Sequence, residues 1–366
     1  MHYRPLGRTG RSVSALGFGA MRLPFDDEDR CVAILQRGFD QGIDYVDTAY
    51  VYGGGRSETI VGRALRGYRD RVTVVTKVPT WSVHATADYR RFLEEQLRRL
   101  DVDCIDVYLM HGLGKDNYES TVLAFGLWDE AQRARDAGLI RHIGFSFHDE
   151  PEVMNRIVDA GVAEVVLCQY NLIDRSNHAA MRYARERGVG VVVMGPVGGG
   201  SLGGPSRTVS AMLPGRATST PALALRFALS NPDVSCVLSG MGSEQMVDEN
   251  VSIASEASGL SAEDVDRVER AAQEQARLSD LYCTDCKYCM PCPHEVNIPL
   301  NFRLMNLHRV YDVTDYARAE YAKIGTVAWM TGKRADECTE CGDCEPKCPQ
   351  KIPIREQLKE TAKALG

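Results

Sequence analysis

A chain of 366 residues, 44% of them apolar and 25% charged, has room for one large domain and a small one and can bury a sizeable core. Its net charge of −7, spread over interleaved acids and bases, leaves no basic stripe for nucleic acid or an anionic membrane surface. No run of eighteen apolar residues occurs and the first residues lack an apolar targeting core, so the expectation is a cytoplasmic protein with no membrane or nucleic-acid partner.

The first stretch, "HYRPLGRTGRSVSALGFG", places Gly10 between two short runs and predicts a hairpin. Strand-like and helix-like stretches then take turns. "SALGFGAM", "GIDYVDTA", "VTVVTKV", "IDVYLMH", "IRHIGFSF", "AEVVLCQY", "GVGVVVMG" and "VSCVLSG" are short apolar runs of the kind parallel strands use when both faces are covered. Between them lie amphipathic stretches such as "DRCVAILQRGFDQG" and "YRRFLEEQLRRL". Eight such alternations predict an α/β fold, a (β/α)8 TIM barrel over residues 1–278 closed by the helix "SAEDVDRVERAAQEQARL". A doubly wound open sheet is the alternative.

A barrel does its chemistry at the C-terminal ends of its strands. Polar residues stand there in series: Asp47 with Tyr52 in the loop beyond it, then Lys77, then His111, then Ser146 and Gln169. Singly, each has a structural use, as a helix cap, a rim residue, a buried ion pair or a satisfied core histidine. Together they suggest acid–base chemistry. A phenol titrates near 10, too high for proton exchange at neutral pH, and an adjacent ammonium held by a carboxylate should lower it. Tyr52, Lys77 and Asp47 supply those parts, and a neutral His111 could orient a carbonyl oxygen. The set lacks a nucleophile of its own, and a cofactor-borne hydride would complete it.

"GIDYVDTAYVYGGGRSE", "VVTKV" and "DVYLMH", with "YRPLGRTGRSVSALGFGAMRLP" at the start, resemble the catalytic segments and N-terminal hairpin of the aldo-keto reductases over roughly the first 255 residues. The resemblance implies an NAD- or NADP-dependent oxidoreductase acting on a small-molecule carbonyl or alcohol. Asp47, Tyr52, Lys77 and His111 would form its catalytic tetrad, with Tyr52 as general acid. It also implies dinucleotide contacts at Ala20, Met21, Ser146, Gln169 and Gly195, at Gly240, Met241 and Gly242, and at Glu249 and Asn250, with Ser243 capping a helix that faces the phosphates. Two positions depart from the family pattern. Phe147 follows Ser146 where asparagine is common, and Gly242 stands where a basic residue often meets a 2′-phosphate.

Eight of the twelve cysteines lie in two tight runs. Cys338, Cys341, Cys344 and Cys348-Pro349 follow the C-x2-C-x2-C-x3-C-P spacing of [4Fe–4S] ferredoxins, and Cys283, Cys286, Cys289 and Cys292-Pro293 repeat it one residue shorter. Zinc would favour two separated pairs around one ion, and disulfides suit a reducing compartment poorly. With helical spacing in "LNFRLMNLHRVYD" and "DYARAEYAKIG", residues 279–366 resemble a small α-helical, ferredoxin-like two-cluster domain. That resemblance pairs Cys283, Cys286 and Cys289 with Cys348, and Cys338, Cys341 and Cys344 with Cys292; one cluster per run, or a single filled site, are the alternatives. Such clusters could serve structure alone or carry electrons to a redox partner protein. The rival functions are a cluster-coupled sugar or polyol dehydrogenase or redox epimerase, and a non-enzymatic binding subunit.

Overall fold

In a computed structural model, all residues are described except 216–218, 257–259, 281–282 and 284–285. The short β-branched runs become strands because only a sheet covered on both sides can accept them. Every residue of the strand Thr73–Val78 is buried. Two compact units result, one of Met1–Pro196 with Leu225–Leu260, the other of Val197–Ala224 with Ser261–Gly366.

In the first unit a hairpin of β1 (Tyr3–Pro5) and β2 (Ser12–Ser14) precedes eight parallel strands. These are β3 (Leu16–Gly19), β4 (Tyr45–Asp47), β5 (Thr73–Val78), β6 (Ile105–Leu113), β7 (Ile140–Phe147), β8 (Val165–Gln169), β9 (Gly190–Met194) and β10 (Cys236–Ser239). They close as a barrel in the order β10-β3-β4-β5-β6-β7-β8-β9. All eight expected strands are therefore present, and the open-sheet alternative is excluded. Leu6 and Val13 from the hairpin join Tyr45, Val75, Val107 and Leu167 in one fully or almost fully buried cluster, so the N-terminal end of the barrel is filled with side chains.

Outer helices show the expected spacing. Thr86–Leu100 buries Tyr89, Phe92, Leu93, Leu97 and Leu100, one stripe of a 3.6-residue period, and ends at Asp101 in left-handed geometry.

The second unit contains the helices Ile298–Arg309, Thr314–Tyr321 and Ile354–Leu365. Val296, Ile298, Phe302, Tyr321 and Leu358 form the heart of its core, against which Cys283, Cys289, Cys292, Cys338, Cys344 and Cys348 pack half-buried. The helix Ala262–Asp280, expected to close the barrel, and residues 197–224 also belong to this unit. Side-chain bonds hold the latter segment there: Ser206 Oγ donates to the Tyr311 carbonyl, and Arg207 pairs with Asp312 at 2.9 Å. Among the described residues no helix is long and apolar enough to cross a membrane.

Candidate functional site

Strand register brings the four titratable residues together. Asp47 pairs across the sheet with Val75, and Lys77, two residues further along β5, pairs with Leu109 of β6. Lys77, fully buried, donates from Nζ to Asp47 Oδ1 at 2.6 Å and to the Thr48 carbonyl at 2.7 Å. Its ammonium lies 4.9 Å from the centre of the Tyr52 ring. The Tyr52 and His111 rings meet edge to face at 6.0 Å, and Trp81, half exposed, covers His111 at 4.8 Å. Tyr52 sits at the head of a tight turn whose Gly53 and Gly54 have positive φ, and a Cβ on Gly53 would strike the Phe25 ring 2.3 Å away. Glycine is required there, which accounts for part of "YGGG".

The electrostatics sharpen this picture and correct one expectation. Burial alone would lower Lys77, but Asp47 and Tyr52 outweigh it and hold the ammonium charged. Burial lifts the Asp47 carboxyl against the pull of Lys77. Tyr52 was expected below the ordinary phenol value and instead lies above it, because desolvation of the phenolate exceeds the help given by Lys77. His111 falls well below the usual imidazole range, first through burial and then through Lys77 and His148, so it is neutral at pH 7. Two buried polar atoms of the set, Asp47 Oδ2 and His111 Nδ1, have no protein partner.

A second layer fixes the lysine strand. Buried Glu58 accepts from Thr76 Oγ1 at 2.6 Å and from Gln96 Nε2, while Gln96 also donates to the Lys77 carbonyl at 3.1 Å. Sequence reading missed Glu58 and Gln96, since a carboxylate and an amide on amphipathic helices look like surface residues.

The residues expected to hold a dinucleotide fall into two groups. Ser146 Oγ accepts from the Gly112 amide at 2.7 Å, and Gln169 reaches Asp174 at 3.4 Å. Gly195 has φ of 64°, and its carbonyl accepts from Asn171, a buried residue not singled out from sequence. Ala20 is buried and Met21 half exposed just beyond β3. Across the sheet edge, Gly240 lies so close to the stem of Arg22 that a Cβ would come within 2.9 Å, Met241 is buried, and Gly242 faces the Arg22 carbonyl. Ser243 caps Glu244–Ser255 by accepting from the Met246 amide. On that helix Asn250 donates to Ser239 Oγ at 3.0 Å, whereas Glu249 accepts from Gln245. The unpartnered Asp47 oxygen, the glycine-lined edge and the capped helix start suit a hydroxyl-bearing, anionic ligand.

In the second unit the eight thiols rim two separate clefts. Cys283, Cys286, Cys289 and Cys348 line one, and Cys292, Cys338, Cys341 and Cys344 line the other. Burial, then Cys283, Cys344 and Cys286, push the Cys289 thiol up to about 11. Among the described residues no three metal-binding side chains stand close enough to share a single ion. Four thiols round each of two clefts match the ligand count of a [4Fe–4S] cluster at each.

Comparison with known proteins agrees with both halves. The family model "Aldo/keto reductase family" matches residues 15–273, and "4Fe-4S dicluster domain" matches 282–353. The chain belongs to the aldo/keto reductase family and is an oxidoreductase with a C-terminal 4Fe-4S dicluster domain. Among its relatives is an L-galactose dehydrogenase of Arabidopsis thaliana, 30% identical over 288 residues that span 70% of this chain and 89% of the relative. An uncharacterized oxidoreductase of Bacillus subtilis is 30% identical over 212 residues, spanning 55% and 67%. An aldo-keto reductase from Bacillus halodurans, solved in a holo form, superposes with a TM-score of 0.66 at 30% identity, covering 74% of this chain and 96% of that one.

Proposed function

We propose that residues 1–278, which contain the barrel, form the catalytic domain and interconvert a carbonyl and an alcohol, with Tyr52 as the proton donor. The observation that carries this reading is the buried chain of contacts from Asp47 through Lys77 to Tyr52, with His111 across the ring. A bound NAD or NADP would supply the hydride to the carbonyl carbon, or accept it in the reverse direction. Ala20, Met21, Ser146, Gln169, Gly195, Gly240, Met241, Gly242, Glu249 and Asn250 are the residues to hold it, and Asp47 Oδ2 is a vacant acceptor suited to a ribose hydroxyl.

The chain's own part is positional and acid–base. Neutral His111 donates to the carbonyl oxygen and aims it at the phenol. Tyr52 then delivers its proton as negative charge builds on that oxygen, and Lys77, held charged by Asp47, stabilises the phenolate left behind. A phenol whose own pKa is raised keeps its proton until the carbonyl oxygen becomes more basic, which suits an acid better than a base.

In residues 279–366, Cys283, Cys286, Cys289 and Cys348 would hold one [4Fe–4S] cluster, and Cys338, Cys341, Cys344 and Cys292 the other. The lining of the two clefts supports this crossed pairing over one cluster per run. Anaerobic purification with iron and sulfide analysis tests the clusters. Oxidation of NADH and of NADPH with a panel of aldehydes, compared with Tyr52→Phe, tests the reaction.

A further inference from the structure

His111 stands at a break in the barrel wall. Met110 pairs with Phe145 and Leu113 with Phe147, so two residues of β6, His111 and Gly112, face the single residue Ser146 of β7. That is a β-bulge, with Gly112 at φ of 67°, a value glycine accepts freely. On the other side, the pairing of β6 with β5 ends at Met110, opposite Val78. Main-chain groups at such a break must find partners outside the ladder.

Three side chains from three elements supply them. Thr80, fully buried in the turn Thr80–Ser82 beyond β5, donates from Oγ1 to the His111 carbonyl at 2.6 Å. Ser146 Oγ accepts from the Gly112 amide, and Asn117, half-buried in the turn after β6, donates from Nδ2 to the Gly112 carbonyl at 2.9 Å. Asn117 also ties the clamp together: the same Nδ2 lies 3.4 Å from Thr80 Oγ1, and its Oδ1 accepts from the Gly114 amide at 2.8 Å. The hydrogens run one way, from Asn117 to Thr80 to the His111 carbonyl, an arrangement in which each bond polarises the next. The imidazole itself has less to hold it. Its Nδ1 is buried without a protein partner, and Tyr52 and Trp81 meet it through ring contacts. Its aim is set by the backbone that carries it.

We propose that Thr80 and Asn117 are positioning residues of the carbonyl reaction, holding the bulge so that His111 presents one face of the carbonyl to the hydride. The inference rests on the carbonyl-reduction reading and adds to it the residues that aim its histidine. Satisfying the bulge alone would be a structural role, which stabilises the fold and leaves the product unchanged. Aiming His111 has a separate signature. A carbonyl held loosely turns, either face then meets the hydride, and the reaction suffers through geometry rather than through substrate binding. The loss falls on kcat and on facial selectivity, not on KM.

Benzaldehyde and a nicotinamide dinucleotide carrying two deuterium atoms at C4 report this with the intact, cluster-loaded enzyme, because the alcohol formed is chiral at its deuterated carbon. The native protein should yield one enantiomer in large excess. Thr80→Val, which keeps the shape and removes the hydroxyl, should lower kcat about threefold to tenfold and raise the share of the minor enantiomer, with KM little changed. Asn117→Ala, at a half-buried position, should act in the same direction, and Thr80→Ser, which keeps the hydroxyl, should restore the native ratio. A native enantiomer ratio in either folded variant overturns the assignment of that residue, whatever happens to rate or melting temperature, and leaves the carbonyl reading in place. A native product that is already an equal mixture overturns both assignments. Native enzyme that places no deuterium on the carbinol carbon overturns the carbonyl reading, and the assignments with it.

Discussion

The two units bury their interiors by different means. In the barrel, Val75, Val107, Leu109, Val165 and Val192 are fully buried and meet in one apolar cluster. The cluster unit has a real core around Phe302 and Tyr321, but six of its eight run cysteines lean on that core half-buried, and Cys286 and Cys341 are exposed. One interior is closed by apolar side chains, while the other presents half-buried thiols at its margin. The comparison sets titratable groups at one end of a well-filled barrel apart from a small helical unit whose margin is lined by thiols, for which metal ligation is the proposed support.

Four experiments would break or sharpen that contrast. The largest effect belongs to Tyr52→Phe, which should cost about 10²- to 10⁴-fold in kcat and leave the iron–sulfur absorbance unchanged. Loss of the absorbance together with activity would mean that the units are not chemically separate. Next, removing iron by chelation should expose residues 283–353 to limited proteolysis, while the barrel's circular dichroism and its melting transition persist. Equal protease resistance with and without iron would contradict the ligation account. Leu109→Ala, at a fully buried barrel position, should then cost about 2–5 kcal/mol in the barrel transition, with the cluster signal intact until that unit melts.

The smallest effect is one of shape. Reduction needs Tyr52 protonated and His111 neutral. Tyr52 is raised, so its acid form persists above pH 10, and His111 is lowered, so its neutral form persists below pH 6.5. The pH profile of kcat/KM for reduction should therefore be flat across the neutral range, falling only on the alkaline side of 10 and the acid side of 6.5. A limb near pH 7 that vanishes in His111→Asn would show the histidine to be unshifted.

Much of this was legible in the chain. The period of the apolar runs gave eight strands, and the residues at their ends gave Asp47, Tyr52, Lys77 and His111, because strand ends are where a barrel must place its polar groups. Cysteine spacing pointed to the second unit, and the resemblance to two-cluster ferredoxin domains implied the crossed grouping of thiols that lines its two clefts. Other features were hidden for physical reasons. The sign of the Tyr52 shift depends on a balance between burial and an ammonium that only three-dimensional packing sets. Glu58 and Gln96 sit on helices where their types predict solvent, and Asn171 in a loop gave no sign that it holds Gly195. The grouping of residues 197–224 with the second unit rests on Ser206 and Arg207 meeting Tyr311 and Asp312, about a hundred residues away in sequence, which no local pattern announces.

The most direct test of the central claim follows the origin of the hydrogen. Using anaerobic, cluster-loaded enzyme with nicotinamide dinucleotide deuterated at C4 and an aldehyde, the account predicts one deuterium on the carbinol carbon of the product, and transfer slowed about 10²- to 10⁴-fold in Tyr52→Phe. Alcohol carrying solvent hydrogen at that carbon, or formed from dithionite-reduced enzyme without any nucleotide, would contradict it and assign the electrons to the clusters.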